Sequence, residues 1–425
     1  MRLPNLLATR KGRIAAFFLM YLTEGVPQGF ATTAVATQMR RLGMGTAEIG
    51  AFLGFIMLPW AFKWAYGPFV DLIGSRRLGP RRSWILLAQA MMVLTLLTLP
   101  GLELPGQLAL FTAALFVHNL FAAVQDVAVD ALAVSTLHAD ERAFASGMMF
   151  GGQSVGMLIG GGGALLLGSR IGFTGSILVL AATILAVLVF AVLPMREPVG
   201  NAAPRQGSAL AAAAGEAGRF LREALRALLG SRLAFGGLLF GLMPIAAMAL
   251  SLALQANLAV DLGLSNDQIG VLGGASSALT ALSCVVGGWL SDRFDRRRAL
   301  LIYIMVISLP GLYLMAELNR HGWAPGQAAP AALVTAFWIA ALAYHLVFGF
   351  IYGARAALFI DITQPAVAAT QFAAYMALTN LSIAYSAVWQ GYAIKHWGYA
   401  TTLGIDSVVG LASLLFLPLL RIKKP

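Results

Sequence analysis

The chain has 425 residues, of which 59% are hydrophobic and 11% are charged, whereas soluble proteins average roughly 45–50% apolar and about 25% charged residues. This composition excludes a soluble enzyme, a disordered chain and a secreted disulfide scaffold, and it indicates a protein whose main solvent is lipid. The net charge of +11 does not indicate nucleic-acid binding, because the basic residues are spread between apolar stretches, as in the loops of membrane proteins. The single cysteine, Cys284, has no partner for an intrachain disulfide.

The sequence contains twelve apolar stretches of about 20 residues or more, which is the length a helix needs to cross the hydrocarbon core. We therefore predict an all-α membrane protein with 12 transmembrane helices. The first stretch is read as a retained helix and not as a signal peptide, because it runs long and carries Glu24 and Pro27. The predicted spans are 14–38, 47–70, 83–104, 107–136, 143–168, 172–194, 233–258, 268–290, 299–318, 331–359, 369–394 and 400–420.

The distribution of basic residues predicts the orientation of the chain. Of the 29 Lys and Arg residues, 23 lie on the same side as the N-terminus and 5 on the other, which places the N- and C-termini in the cytoplasm. The long polar gap 195–232 contains an amphipathic stretch from Gly218 to Leu229, expected to lie on the inner membrane surface. The predicted domains are an N-terminal six-helix bundle (1–194), a cytoplasmic linker (195–232) and a C-terminal six-helix bundle (233–425).

The two halves repeat one another. Leu42-Gly43-Met44 recurs as Leu262-Gly263-Leu264, 220 residues later, and each copy is followed by a Gly-x-x-x-Asp motif and a cluster of arginines. Two pseudo-symmetric six-helix bundles, each with this loop after its second helix, resemble the plan of the major facilitator superfamily (MFS fold). We expect the loops to form a gate latch, in which glycine allows close packing and aspartate pairs with arginine; alternatively, the basic loops only set the topology. The latch residues would be Gly67, Asp71, Arg81, Gly288, Asp292 and Arg296.

Charged residues inside the predicted spans need a reason, since each costs about 2.5–3.5 kcal/mol at the bilayer centre on insertion scales. Asp126 and Asp130 are four residues apart and share a helical face, and Glu24 and Gln28 form a similar pair around Pro27. Repulsion between two carboxylates on one face favours binding of a proton by one of them, as a proton-coupled carrier requires. We predict that Glu24, Asp126 and Asp130 carry out proton coupling. The alternatives are a permanent ion pair with Lys63, or an Asp130 that is simply exposed to water.

Other polar residues in the spans are predicted to contact a solute, with Lys63 and Arg355 as partners for its anionic groups. These residues are Gln28, Lys63, Asn119, Gln153, His345, Arg355 and Asn380. His345 could equally be an interior histidine with its own protein partners. The glycine repeat between Gly147 and Gly163 favours close helix packing. Metal-ligand spacing and catalytic signatures are absent from the sequence, so we expect no metal, no cofactor and no enzyme activity.

Several motifs resemble one branch of the superfamily, the peptide/acetyl-coenzyme A transporter group typified by the AmpG-type muropeptide permeases. The most characteristic is 125–131, Gln-Asp-Val-Ala-Val-Asp-Ala, which is similar to the family's Gln-Asp-Ile-Ala-Ile-Asp-Ala. Further resemblances lie in Gly25-Val26-Pro27, in 58–63 followed by Pro68 and Asp71, in 81–89 and in 369–373. The family's Gly-Tyr-Arg in the fifth helix appears here as Gly152-Gln153-Ser154.

The resemblance implies inward transport of cell-wall-derived anhydro-muropeptides across the bacterial inner (cytoplasmic) membrane, driven by the proton gradient. The expected partners are a small-molecule substrate, protons and the lipid bilayer, with no nucleic acid and with the protein as a monomer. An alternative within transport is the import of a ferric siderophore, because inner-membrane siderophore permeases resemble the same motifs. An alternative from another class is a membrane sensor or scaffold that transports nothing.

Overall fold

The computed structural model describes residues 5–75, 77–138, 141–197, 209–244, 250–293, 295–363 and 368–420. These residues are almost entirely helical and include no β-strand, which confirms the all-α prediction. The α-helices are α1 (Arg10–Gly29), α2 (Ala36–Arg41), α3 (Thr46–Ala61), α4 (Gly67–Leu72), α5 (Pro80–Thr98), α6 (Leu108–Thr136), α7 (Arg142–Leu158), α8 (Ala164–Val187), α9 (Ala209–Leu229), α10 (Arg232–Leu242), α11 (Leu252–Asp261), α12 (Asn266–Arg293), α13 (Arg296–His321), α14 (Ala331–Ile362) and α15 (Ala368–Leu411). Short 3-10 segments are Leu6–Ala8, Lys63–Ala65, Leu99–Gly101 and Ala412–Leu420, and π-helical segments are Phe30–Val35, Ile159–Gly163 and Leu188–Val192.

Within the described residues, seven helical stretches are long and apolar enough to cross a membrane. Two of them, Gly147–Val192 and Gln371–Leu420, run for 46 and 50 residues, or roughly 70 Å at 1.5 Å per residue, far beyond a hydrocarbon core of about 30 Å. Each is interrupted by a glycine with positive φ, Gly172 (77°) and Gly398 (76°), where the helix direction breaks. The protein is a multi-pass membrane protein; the number of twelve spans stays a prediction.

The surface of these helices is apolar where a soluble protein would be polar. Val134, Val285 and Leu415 are each about three-quarters exposed. Scattered apolar side chains are normal on soluble surfaces, but here they lie on long helices that carry few charges. Lipid is therefore the solvent of these faces.

The chain forms two compact units. The first comprises Met1–Ala31 and Phe62–Leu221, and the second comprises Thr32–Ala61 and Arg222–Pro425. Residues 32–61 thus pack with the second unit, although the predicted boundaries assign them to the N-terminal bundle; those boundaries stay a prediction. The junction between Ala31 and Thr32 falls inside the π-helical segment Phe30–Val35, just after Pro27. Proline removes one backbone hydrogen bond from the helix, and a π-helical segment follows it here.

Glycines allow helix backbones to touch within the first unit. A Cβ added to Gly152, Gly156 or Gly160 would overlap the carbonyl oxygens of α1, whereas one added to Gly147 or Gly151 would meet nothing within 4 Å. The glycine repeat predicted for packing therefore serves this purpose in its second part. Gly25 and Gly29 of α1 lie against the backbone of α7 in the same way.

Glycines also allow close contact between helix backbones within the second unit. Gly50 of α3 lies against Gly391 of α15, and Gly349 and Gly353 of α14 lie against the backbone of α12. Small residues at such contacts let helices approach closely in a membrane, where dispersion forces and hydrogen bonds drive association. Helix α9 contains the predicted amphipathic stretch, with Leu221, Leu225 and Leu229 exposed; its location at the membrane surface stays a prediction.

Candidate functional site

A cluster of charged side chains lies between α1, α6 and the 3-10 turn Lys63–Ala65 of the first unit. The Lys63 ammonium donates a hydrogen bond to Asp126 Oδ2 at 2.9 Å, and the Asp126 side chain is only 4% exposed. The structure therefore brings together the cation and one of the carboxylates that the sequence singled out. Such a pair neutralises both charges in a region where an isolated ion would be strongly unfavourable.

Glu24 is buried beside this pair, with 2% of its surface exposed. Its Oε1 accepts a hydrogen bond from Gln153 Nε2 of α7 at 2.7 Å. Its Oε2 is buried and receives no hydrogen bond from a described donor, and the Asp126 carboxyl group lies within hydrogen-bonding range of Glu24. The close approach of α1 and α7 at Gly25 and Gly152 is what brings Gln153 within reach of this carboxyl group.

Asp130 lies one helical turn beyond Asp126 and is exposed at the protein surface. It accepts a hydrogen bond from the Tyr21 hydroxyl at 2.5 Å. Tyr21 was not predicted as a site residue, although a hydroxyl three residues before Glu24 inside an apolar span was an available signal. The exposure of Asp130 agrees with the alternative that water solvates this carboxylate.

Gln125, the first residue of the 125–131 motif, forms hydrogen bonds that join α6 to α1. Its Nε2 lies 2.9 Å from the Met20 carbonyl oxygen and 3.0 Å from Thr23 Oγ1, and Gln89 of α5 donates to the same hydroxyl at 3.0 Å. All of these polar side chains are buried. These hydrogen bonds hold α1 against α5 and α6. They thereby fix the position of Glu24 along the axis of α1 relative to Asp126 on α6.

The second unit holds a buried cation, Arg355, which is 5% exposed. Its guanidinium lies 5.6 Å from the ring centroid of Tyr352, within the range of a cation–π contact. The described side chains provide no ion pair for Arg355. The predicted role of Arg355 as a partner for an anionic group of a solute stays a prediction.

His345 contacts protein groups through both ring nitrogens. Nε2 lies 3.0 Å from Gln255 Oε1 and Nδ1 lies 3.2 Å from Thr280 Oγ1. This arrangement agrees with the alternative of an interior histidine with protein partners. Its assignment to substrate binding stays a prediction.

Two neutral polar residues of the predicted site, Asn119 and Asn380, donate hydrogen bonds to backbone carbonyl groups of their own units. Asn119 is fully buried and donates to the Leu115 carbonyl oxygen of its own helix at 2.9 Å. Asn380 donates to the Trp60 carbonyl oxygen at 3.1 Å within the second unit. Gln28 is half-buried on α1. Substrate contact by these three residues stays a prediction.

A second-unit carboxylate, Asp406, was missed by the sequence reasoning although it lies inside the predicted span 400–420. It is 6% exposed, and its two oxygens accept hydrogen bonds from Trp389 Nε1 and Gln390 Nε2, both at 2.9 Å. A charge inside an apolar span was the available signal. Because both oxygens have neutral donors, Asp406 is held as a structural anchor between the two parts of α15 on either side of Gly398.

The predicted latch is only partly within the described structure. The side chains of Asp71 and Asp292 lie outside the described residues. Arg81 lies 3.7 Å from Glu197, and Arg296 pairs with Asp361. An added Cβ at Gly67 or Gly288 would meet nothing within 4 Å, so close packing is not the reason for these glycines; the latch itself stays a prediction.

The repeated Leu-Gly turns form a cluster of ion pairs and hydrogen bonds within the second unit. Gly43 and Gly263 both have positive φ, 79° and 82°, and each ends a helix by the left-handed turn that glycine favours. Arg40, before the first turn, makes a bidentate pair with Asp261, before the second, at 2.7 and 2.6 Å. The Tyr399 hydroxyl donates to the same carboxylate at 2.6 Å. We call Arg40, Asp261 and Tyr399 the turn clasp.

A further ion pair fixes the start of α7 in the first unit. Arg13 Nε donates to Glu141 Oε1 at 2.6 Å and its Nη2 donates to Oε2 at 3.0 Å. The backbone N–H of His138 donates to the same carboxylate at 3.0 Å. These hydrogen bonds, above all those from Arg13, lower the pKa of Glu141 to about 2.

Comparisons with known proteins agree with this architecture. The sequence model described as Major Facilitator Superfamily matches residues 14–254 and 242–425. The anhydromuropeptide permease of Escherichia coli is 24% identical over 414 residues, covering 96% of this chain and 80% of that protein. The crystal structure of nucleoside transporter NupG superposes with a TM-score of 0.70 at 12% identity, covering 97% of this chain and 100% of that one. That of a D-xylose-proton symporter superposes with a TM-score of 0.69 at 14% identity, covering 95% and 96%. The match of the family over nearly the whole chain, on an all-helical multi-pass fold, shows that this chain belongs to the Major Facilitator Superfamily.

Proposed function

We propose that the chain is a proton-coupled secondary transporter of the bacterial inner membrane that imports an anhydro-muropeptide. In this proposal two six-helix bundles rock about a central site, with both termini in the cytoplasm and the protein working as a monomer. The charged cluster of the first unit couples transport to protons, and the predicted polar residues contact the solute.

The proposal of proton coupling rests on the excess of carboxylates over cations in the charged cluster of the first unit. Glu24 and Asp126 are buried and Asp130 adjoins them, while Lys63 is the cation bonded to Asp126. One cation cannot neutralise the two buried carboxylates, Glu24 and Asp126, in a low-dielectric region, and Asp130 adds negative charge nearby, so proton binding is the available way to reduce the excess. A proton that binds and leaves during the cycle couples the solute to the proton gradient.

The proposed substrate class follows from the similarity to the Escherichia coli anhydromuropeptide permease over 96% of the chain and from Arg355. A muropeptide carries peptide carboxylates, and the buried guanidinium of Arg355 offers a site for one of them. An Arg–carboxylate pair can be bidentate, and such pairs are among the strong hydrogen-bonded ion pairs in proteins.

Uptake into proteoliposomes tests the proposal. Purified protein should accumulate a radiolabelled anhydro-muropeptide when the lumen is alkaline, and a protonophore should abolish accumulation. Empty liposomes serve as the blank and a ferric siderophore serves as the competitor. Uptake that is indifferent to the protonophore would contradict proton coupling, and uptake of the siderophore in place of the muropeptide would contradict the substrate class.

A further inference from the structure

The carboxylates of the cluster have unequal partners. Asp126 is bonded to the ammonium of Lys63 at 2.9 Å, and Asp130 is exposed and accepts from Tyr21. Glu24 is 2% exposed, and the described side chains supply it with one neutral donor, Gln153 Nε2. The negative charge of the cluster is therefore least compensated at Glu24.

The unpaired atom identifies the position of a proton. Gln153 donates to Oε1, so this oxygen acts as the acceptor, while Oε2 is buried and receives no hydrogen bond from a described donor; the Asp126 carboxyl group lies within hydrogen-bonding range of Glu24. A carboxylate oxygen that receives no hydrogen bond is strongly disfavoured in a protein interior, whereas a neutral carboxyl group is buried at much lower cost. We infer that Glu24 is a neutral carboxylic acid in this conformation, with its proton on Oε2, and that this proton is the one that the transporter carries. The second half of the inference rests on the proposed proton coupling.

The groups that face Glu24 determine what happens when the proton leaves. Asp126 and Asp130 approach from α6, Lys63 from the turn after α3, and Tyr21 lies on the same helix. On release the O–H bond of Glu24 breaks and the proton passes to water, leaving a carboxylate anion. Lys63 then balances two buried carboxylates where it balanced one, so the deprotonated state needs water or a cationic group of the solute to be stable.

Gln153 is the positioning residue for this acid. Its amide reaches Glu24 because Gly25 lies against the backbone of α7 at Gln153 itself. The hydrogen bond from Gln153 to Oε1 keeps the proton of Glu24 on Oε2. If a shift of α1 along α7 broke this hydrogen bond, the proton would no longer be fixed on that oxygen. Proton release is thereby linked to the contact between the two helices.

Infrared difference spectroscopy tests the protonation state directly. In purified protein at neutral pH, the C=O stretch of a protonated carboxyl group should be present in the wild type and absent from Glu24→Gln, which keeps the shape and the neutral charge of the acid. Glu223→Gln, at an exposed position of α9, is the matched control and should leave the band unchanged. A spectrum in which Glu24→Gln removes no such band would overturn the inference.

Transport measurements then separate this inference from the proposed function. Glu24→Gln should lose gradient-driven accumulation at least tenfold while it still exchanges solute between equal pools, because exchange needs no net proton release. Gradient-driven accumulation by Glu24→Gln equal to the wild type would contradict Glu24 as the proton carrier and leave coupling to another residue. If a protonophore did not reduce uptake by the wild type while the infrared band was present, the proposed proton coupling would be contradicted. The conclusion that Glu24 is a neutral carboxylic acid would still hold.

Discussion

Three buried charges within the membrane-spanning part of the described chain are stabilised in different ways. Asp126 has an ammonium partner, Asp406 has two neutral N–H donors, and Arg355 has an aromatic ring. Burial in the membrane is unfavourable for each of them, so each depends on its partner. Glu24, by contrast, has one neutral donor among the described side chains.

The Lys63–Asp126 pair gives a prediction about stability. Lys63→Met should lower the free energy of unfolding near the lower end of the about 3–5 kcal/mol that loss of one partner of a buried pair costs, because a quarter of the Lys63 side chain is exposed. Adding Asp126→Asn should recover most of this loss, since no uncompensated charge then remains. Thermal unfolding in detergent measures both effects.

Lys395→Met, at an exposed position, is the control for that experiment and should change little. A double variant as unstable as Lys63→Met alone would mean that the stability came from packing of the lysine side chain and not from its charge.

Glu141 gives a prediction about pH. Because the pKa of its carboxyl group is lowered from an ordinary value of 4.5 to about 2 in the folded protein, the ionised group stabilises the fold above about pH 4.5 and this contribution disappears as the pH falls toward about 2. Glu141→Gln should therefore melt at a lower temperature than the wild type at pH 7, and the difference should shrink across that window. Equal differences at pH 7 and pH 3 would exclude the ionised carboxylate as the cause; Glu223→Gln should show no difference at either pH.

Part of this site could be predicted from the sequence. Asp126 and Lys63 were found because a charge inside an apolar span is rare, and opposite charges in one membrane region attract. The contact of Tyr21 with Asp130 was not found, because it depends on the distance between α1 and α6 and not on the pattern within either helix. Asp406 could have been found by the same rule as Asp126.

At the level of helices, α1 and α7 are held together by backbone contact at glycines. Adjacent glycines of α7 allow a matched test, because Gly152 faces α1 while Gly151 faces open space. Gly152→Ala forces a methyl group into the Phe18 carbonyl oxygen and should cost about 1–3 kcal/mol, the usual range for overpacking. Gly151→Ala should be neutral or more stable by up to about 1 kcal/mol, because alanine favours the helix.

Thermal unfolding of the two variants measures this difference. If Gly151→Ala and Gly152→Ala were equally destabilising, helix contact at Gly152 would not be the reason for the glycine. The sequence predicted that this repeat packs, but not which glycines face α1, because glycines spaced four apart occur on two faces of α7.

In the molecule as a whole, the internal repeat appears as matched turns joined by the turn clasp. The sequence predicted the equivalence of Gly43 and Gly263, which have nearly equal φ angles. It did not predict that residues 32–61 pack with the second unit, because that depends on distant contacts such as Gly50 with Gly391. Periodicity along a chain carries no information about such pairs.

The turn clasp gives a prediction about transport. If the two repeats rock, the helix ends that carry Arg40 and Asp261 have to separate in each cycle. In a Cys284→Ser background, Arg40→Cys combined with Asp261→Cys and joined by a cleavable thiol cross-linker should lose uptake, and cleavage of the linker should restore it. Each single-cysteine variant treated with the same reagent is the control. Full uptake by the joined protein would contradict separation of these ends.

The π-helical segment Phe30–Val35 joins α1 to α2 and is the place where this long helical stretch can bend. Glu24 lies about nine residues before the middle of this segment, or roughly 13 Å along the axis at 1.5 Å per residue, and Arg40 lies nearly as far beyond it, at roughly 11 Å. Because Glu24 and Gln153 are held together by the contact of α1 with α7, a bend of about 10° at the segment would leave their hydrogen bond in place and would displace the end of the helix that carries Arg40 by about 2 Å. A small angular change at one short stretch of backbone is thus enough to move the Arg40 side chain by a distance that breaks a hydrogen bond.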